Sequence, residues 1–330
     1  MKAGRRSFLL SGLAAASSGC ALWKDEPPVR FLTAADVHYR PGVFPHDTHE
    51  QLQRIIGRGV SESVDFGLQL GDFQHNAKRD RAFVDLWADA PFRTYSVLGN
   101  HDDDATTAEE TRAAFRLERS WYFADCRFVR LIVLDTNFAA LGHRYVHYAK
   151  DSGFVQWKLP KGTGMRLHPE EFPFLEEAIA TAPGVCIVAA HRSLASDDPD
   201  ALRVRQILDA ANRRTSGKVP LVLNGHHHCD RLQRLGEISY LTVNSPNHCW
   251  IPFAHRAYPE EDLRRWTGIG HVLAYDGTPL SAVISMYQDG RFSVSGMTGG
   301  FWRGISPERI SPRLKTGYTA SIVNRPLETA

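Results

Sequence analysis

Five apolar runs of strand length each stop at a side chain able to bind a metal, and no other feature constrains this chain as tightly. Residues 29–35 lead into Asp36-Val37-His38, and residues 66–70 into Gly71-Asp72. Residues 94–98 lead into Gly99-Asn100-His101-Asp102, residues 185–190 into His191, and residues 219–223 into Asn224-Gly225-His226-His227-His228. Between these runs, segments 46–58, 81–90, 105–117, 169–181 and 199–213 read as helices, the first through Leu52, Ile55 and Ile56. Alternating strands and helices predict an α/β core. In open α/β sheets, ligands bind beyond the carboxyl ends of the strands, so the five clusters are expected on one edge. Segments 121–125 and 128–135 read as an antiparallel pair. Beyond residue 230 the strands shorten, and segments 281–287 and 292–295 flank Asp289-Gly290, a hairpin turn signal.

The clusters offer carboxylates, one amide and several imidazoles, and need no thiolate. Oxygen and nitrogen donors of this kind suit Zn, Mn or Fe. If Asp36-Val37-His38 and His226-His227-His228 are extended, alternate side chains point the same way and each pair can chelate. The glycines permit tight turns and close backbone approach. Each cluster alone is commonplace; all five in order, each at a strand end, are not.

The series Asp-x-His, Gly-Asp, Gly-Asn-His-Asp, His and Gly-His-x-His resembles the calcineurin-like metallophosphoesterase superfamily across about residues 30–230. A bacterial exported subgroup is resembled more loosely, through 121–135 and Ser306-Pro307…Ser311-Pro312. The resemblance implies a four-layer α/β/β/α sandwich of two mixed β-sheets flanked by helices, with a strand-rich C-terminal part. The domain is expected over residues 28–300, with a tail at 301–330. Asp36, His38 and His228 would hold one divalent metal ion, Asn100, His191 and His226 a second, and Asp72 would bridge both. A hydroxide shared by the two ions would attack phosphorus, with His101 assisting the leaving group and Asp102 orienting His101. The implied substrate is a small-molecule phosphomonoester or phosphodiester. The purple acid phosphatases, one branch of the superfamily, place a metal-bound Tyr three residues after the bridging Asp; His75 stands there in this chain. The pattern is therefore closer to phosphodiesterase-like members.

Two rival readings exist. His226-His227-His228-Cys229-Asp230 matches the start of the metallo-β-lactamase motif, but Arg231 stands where that motif needs His, and four clusters go unexplained. The alternative within the same fold is an inactive member that holds metal or phosphate; this chain keeps all the ligand positions. His227 is expected to point away from the site, and Arg192 to be a surface arginine that would otherwise hold a phosphate oxygen. His143, His147, His168 and His248 receive no role from the sequence. Segment 139–168 reads as an irregular insertion whose Tyr145, Tyr148, Phe154 and Trp157 form a satellite core, with a lid or base-stacking wall as the alternative.

Residues 1–20 read as an export signal. Arg5-Arg6-Ser7-Phe8-Leu9 resembles a twin-arginine motif, and the weakly apolar run behind it is too short to span a bilayer. The expected partner is the twin-arginine export machinery, and the expected location the periplasm, or the membrane through a lipid anchor on Cys20. Setting aside Lys2, Arg5 and Arg6, the 39 basic side chains fall to 36 against 37 acidic ones. Near-neutrality offers no electrostatic case for binding nucleic acid. Cys126, Cys186, Cys229 and Cys249 show no metal-finger spacing, and an oxidising compartment would permit a Cys229–Cys249 bridge.

Overall fold

Neighbouring strand residues alternate between two apolar environments, and this alternation builds the layers. The computed structural model describes residues 26–141, 143–149, 166–251, 253–311 and 318–327. The chain begins β1 (Val29–Ala34), α1 (Thr48–Ser61), β2 (Phe66–Leu70), α2 (Arg81–Ala88), β3 (Arg93–Val97), α3 (Ala108–Ala114). It continues β4 (Tyr122–Cys126), β5 (Val129–Val133), β6 (Phe138–Leu141), β7 (Arg144–His147), α4 (Glu171–Ala180), β8 (Val185–Ala189). Then come α5 (Pro199–Arg214), β9 (Leu221–Asn224), β10 (Arg231–Leu235), β11 (Ile238–Thr242) and β12 (His248–Trp250). The last elements are α6 (Glu260–Arg265), β13 (Val272–Ala274), β14 (Ala282–Met286), β15 (Phe292–Ser295), β16 (Met297–Thr298) and β17 (Ser321–Ile322).

One sheet has the order β15-β14-β1-β2-β3 and the other β10-β11-β9-β8-β5-β4. Phe31, Leu68 and Val97 of the first sheet share a core with Val129, Leu131, Ile187 and Leu221 of the second, so the sheets pack face to face. The outward residues Leu32 and Ala34 meet Leu52 and Ile55 of α1 and Phe83 and Trp87 of α2. On the far side, Ile132, Val188 and Val222 meet Phe172 and Leu175 of α4 and Val204 and Leu208 of α5. The result is the expected four-layer α/β/β/α sandwich. Its sheets are mixed: β1, β2 and β3 run parallel, while β14 joins β1 antiparallel and carries the 282–295 hairpin into the first sheet. β5, β8, β9 and β11 are likewise parallel, with β4 and β10 antiparallel at the edges. Parallel strands deliver their carboxyl ends to one edge, which is where the five clusters follow.

The expected tail returns to the body. Ile305, Ala320 and Ile322 belong to the central core, β16 pairs with β17, and Val294 pairs with Arg325. The expected insertion starts as the β6–β7 hairpin; Phe154, Trp157 and residues 1–20, with Cys20, lie outside the described residues. The four described cysteines are free thiols. Among the described residues, no helix is long and apolar enough to cross a membrane.

His147, at the end of β7, ties that hairpin to the body. Its Nε2 lies 2.9 Å from Asp135 Oδ2 beyond β5, and its Nδ1 3.3 Å from Asp103 Oδ2 in the loop after β3. Burial would lower its pKa, but Asp135 and Asp103 outweigh burial and raise it to about 9. Its ionic contribution to stability is fully present below the unfolded value of ~6.5 and lost as pH climbs through about 9. His147→Gln should therefore lower Tm most near pH 6, with the gap to wild type shrinking above pH 9. Thermal unfolding across that range checks this, and a gap independent of pH would refute it.

Candidate metal centre and catalytic site

The loops after β1, β2, β3, β8 and β9 bind one another through the backbone before any side chain is considered. The Asp36 N–H donates to Gly71 O at 3.0 Å and the His38 N–H to Asp72 O at 2.8 Å, so the first two loops run side by side. The Gly225 N–H donates to His191 O at 3.1 Å, and the His226 N–H to the Asp36 carboxylate at 2.9 Å. Gly99 closes the packing, because a Cβ there would strike the backbone and carboxylate of Asp72.

The two chelating triplets are not extended. Asp36, His38, His226 and His228 all have left-handed backbones, with φ of 53°, 46°, 68° and 48°, and Asp72 has φ of 52°. Non-glycine residues in this region are uncommon and gather at functional sites. Alternate side chains do converge, but through tight left-handed turns, because an extended segment would carry the chain straight past the sheet edge.

Asp102 does not orient His101. Its Oδ2 accepts from the Asp72 and Gly99 N–H groups at 3.0 and 2.8 Å, and its Oδ1 from Phe73 and Gln74 at 2.9 and 3.1 Å. Those bonds turn the carboxylate inward to clamp two loops together. The carboxylate on His101 is that of Asp104, with Oδ2 2.7 Å from His101 Nδ1. The Asp104 N–H donates to His101 O at 3.2 Å, closing a turn that brings side chains three residues apart together.

Hydrogen bonds then fix which ring nitrogens face inward. His191 Nδ1 lies 2.8 Å from Leu70 O and His228 Nδ1 2.8 Å from His248 O. A carbonyl only accepts, so both Nδ1 atoms carry hydrogen and both Nε2 atoms face the centre. His38 is fixed by a relay. Asp104 Oδ2 accepts from His75 Nδ1 at 2.9 Å, leaving His75 Nε2 to accept from His38 Nδ1 at 2.9 Å. His38 Nε2 is thereby aimed at His228 Nε2, 3.1 Å away, and at Asp72 Oδ2, 3.6 Å away. His191 Nε2 lies 3.2 Å from both Asp72 Oδ2 and His226 Nδ1. Acceptor faces acceptor, which is unfavourable unless protons or cations lie between. Among the described residues four groups have donor atoms within 4.8 Å of one another: Asp36–His38–Asp72 and Asp72–His191–His226, which share Asp72, His38–His228–His248, which shares His38, and His75–His101–Asp104. Asn100 is buried beside them, and the N–H of His101 donates to Asp72 Oδ1 at 2.8 Å.

The charges fit the same picture. Burial pushes Asp36 up to about 8, and neighbouring Asp72 adds to the shift. Burial would also raise Asp72, but His191, His101 and His38 outweigh it and hold Asp72 well below the carboxylate range. Burial lowers His38 and His226 well below the usual histidine value and takes His228 to about 3, so these rings are neutral, as metal ligands must be. Burial would lower His101 as well, but Asp72 and Asp104 raise it to about 8. The buried Asp36 and Asp72 carboxyl groups, with Asp72 drawing His191 up to about 9 while His38, His226 and His228 stay neutral, form a site that attracts positive charge and fits a cation.

The remaining residues sort themselves spatially. His227 is exposed. Arg192 is half-buried rather than a surface residue, and its Nε is buried without a hydrogen-bond partner. His248 packs beside His228 with its ring tilted by 44° and centroids 4.5 Å apart, and Ser245 Oγ donates to Asp36 O at 2.7 Å. Asn247 Nδ2 donates to Val37 O. The only cue to this buttress in the sequence is the polar run Asn244-Ser245-Pro246-Asn247-His248, in a part of the chain with no metal motif.

A four-layer sandwich with Asp, Asn and His clustered at the carboxyl ends of its parallel strands is the arrangement of a metal-dependent phosphoester hydrolase. Residues 29–230 match the calcineurin-like phosphoesterase family, and the chain belongs to that family. Among solved structures, a dimetal phosphatase from Danio rerio is similar at 13% identity and TM-score 0.54, over 82% of this chain and 96% of that one. A purple acid phosphatase from yellow lupin seeds is similar at 13% identity and TM-score 0.46, over 89% of this chain and 53% of that one. At such identities the likeness is one of fold. No curated protein matches the sequence.

The two neighbouring aspartates should separate experimentally. Asp102→Ala strands several buried N–H donors at ~1–3 kcal/mol each and should cost at least ~3 kcal/mol of stability in urea unfolding. Asp104→Asn should keep that stability yet lower kcat ~10–100-fold and, because Asp104 also sets His38 through His75, weaken metal binding by a similar factor. Equal destabilisation by both would refute the division of labour.

Proposed function

We propose that the site is a dinuclear metal centre that hydrolyses small-molecule phosphomonoesters or phosphodiesters. The observation that carries this reading is the set of inward-facing acceptors described above, split into two donor groups that share the Asp72 carboxylate. Asp36, His38, Asp72 and His228 would hold one ion, and Asp72, Asn100, His191 and His226 the other. Divalent Mn, Fe or Zn suits this oxygen and nitrogen set. Such ions supply charge neutralisation at the phosphoryl oxygens and a water of lowered pKa.

The chain's own residues do the rest. His101, outside the two groups that share Asp72 and grouped instead with His75 and Asp104, would pass its proton to the departing ester oxygen, with Asp104 anchoring its Nδ1 side so that Nε2 does the work. The half-buried Arg192 guanidinium next to His191 is suited to a phosphoryl oxygen. A buried Asp36 carboxylate, capped by the His226 N–H, keeps the first and last loops in register as the substrate docks.

Hydrolysis of p-nitrophenyl phosphate and bis-p-nitrophenyl phosphate, with metal content measured by mass spectrometry, tests the proposal. Asp72→Ala should lose bound metal and turnover together; full metal stoichiometry in that variant would remove Asp72 from the bridging position. His101→Ala should retain metal and lose ~10²–10⁴-fold in kcat. Loss of metal instead would make His101 a ligand.

We also propose that the chain is exported to the periplasm through its twin-arginine signal, with a lipid anchor on Cys20 as the membrane-bound variant of that route. Arg5→Lys with Arg6→Lys should leave the precursor in the cytoplasm in cell fractionation. Unimpaired export would point to the general secretory route.

A further inference from the structure

Beside the candidate centre lies a cavity of about 470 Å³ whose lining includes His38, His101, Trp250, Arg40 and His271. That volume is in the range of small-molecule sites and exceeds what a phosphoryl group needs. Its wall carries an unusual feature: Trp250 is 45% exposed although its neighbours Cys249 and His248 are buried. What sets Trp250 apart from the other exposed apolar side chains is its place in a cavity lined by His38 and His101, where an open indole is available to stack on a planar ligand.

The ring is also held in place. Trp250 lies on β12, which the ladder to β13 fixes at Trp250↔Val272. Its ring meets His248 edge to face, with centroids 5.1 Å apart at 86°, and His228 at 5.7 Å and 64°. His248 is itself stacked on Phe44, with centroids 5.0 Å apart at 20°. The platform is thus braced by the imidazole of a proposed metal ligand, which sets its distance from the reacting phosphorus. Arg40 is exposed in the same cavity and has no carboxylate partner among the described residues. The cavity therefore offers a planar apolar surface, an open cation and polar walls on the side where His101 would meet the leaving oxygen.

We propose that Trp250 is the stacking platform of a leaving-group subsite, and that the preferred substrates are phosphoesters whose departing alcohol carries a planar aromatic ring, as a nucleoside does. This rests on the hydrolase reading above. Because Trp250, His101 and Arg40 line one cavity, a ring on Trp250, its linked oxygen at His101 and a further anionic group at Arg40 would be accommodated together. Base stacking on an aromatic side chain is worth about 5- to 100-fold in affinity.

The test compares substrates with the same scissile 5′-oxygen and differing only in the ring: adenosine 5′-monophosphate against ribose 5-phosphate, and their methyl diesters, with Mn²⁺-loaded full-length enzyme. Wild type should prefer the ring-bearing member by about 5- to 100-fold in kcat/KM, mostly through KM. Trp250→Ala should bring that ratio close to one, and Trp250→Phe should keep most of it. A wild-type ratio near one, or a ratio unmoved by Trp250→Ala, overturns the platform. A parallel titration needs no turnover. Adenosine 5′-monophosphate should quench intrinsic tryptophan fluorescence in wild type, ribose 5-phosphate should not, and Trp250→Phe should lose the quench. Quenching without hydrolysis of any ester would sink the hydrolase reading and keep the platform; hydrolysis with no ring preference and no Trp250-dependent quench would do the reverse.

Discussion

Burying the Asp36 and Asp72 carboxylates among imidazoles whose ring nitrogens face one another is the constraint on which the rest depends. Such an assembly is unstable on electrostatic grounds unless positive charge lies within it. His191 shows the tension directly. Burial would strip its proton, yet Asp72 and Asp36 hold its pKa at about 9. A divalent ion between the ring and the carboxylate serves the same end more strongly, and takes the place of the proton. The family membership and the donor chemistry thus converge on one statement: this is a metal-dependent phosphoester hydrolase.

The scaffold is organised around holding that cluster together. Five of the candidate ligands have left-handed backbones. Such conformations cost of order 1–3 kcal/mol each and persist only where the surroundings over-determine them. Here the surroundings are specific: loop-to-loop backbone bonds, the Asp102 carboxylate shared among four N–H groups, and the Ser245 and Asn247 side chains bonded to the carbonyls of Asp36 and Val37. The two sheets bring the supports from sequence positions some two hundred residues apart. The relay from Asp104 through His75 to His38 adds a further link, because the carboxylate that anchors His101 also sets the tautomer of His38. On the proposed reading, metal binding and proton delivery therefore share one structural element.

The layers were legible because each rests on local periodicity. Strand runs at 29–35, 66–70 and 185–190 appear within a residue of where they were expected, and so do the hairpin strands around Asp289-Gly290. The antiparallel return of β14 onto β1 was not legible, since nothing local specifies which strand a late hairpin will join. Nor was the return of residues 318–325 to the core, where Ala320 and Ile322 are too sparse to show a period. In the site, the metal-type residues stood out through their motifs. Asp102 and Asp104 could not be told apart, because two carboxylates in one acidic run differ only in the direction the turn aims them. Arg192 looked like any charged surface residue until the fold covered it.

The order of residues along the chain by itself determined the α/β architecture, the family and the candidate metal-binding side chains, because strand and helix periodicity and the spacing of donors behind strand ends are properties of short segments. Only the tertiary structure decided which carboxylate clamps the loops and which anchors His101, which ring nitrogens face inward, and that Trp250 stands open beside the centre. Those outcomes depend on hydrogen bonds and contacts between segments far apart in sequence, and a direction in space has no local signature.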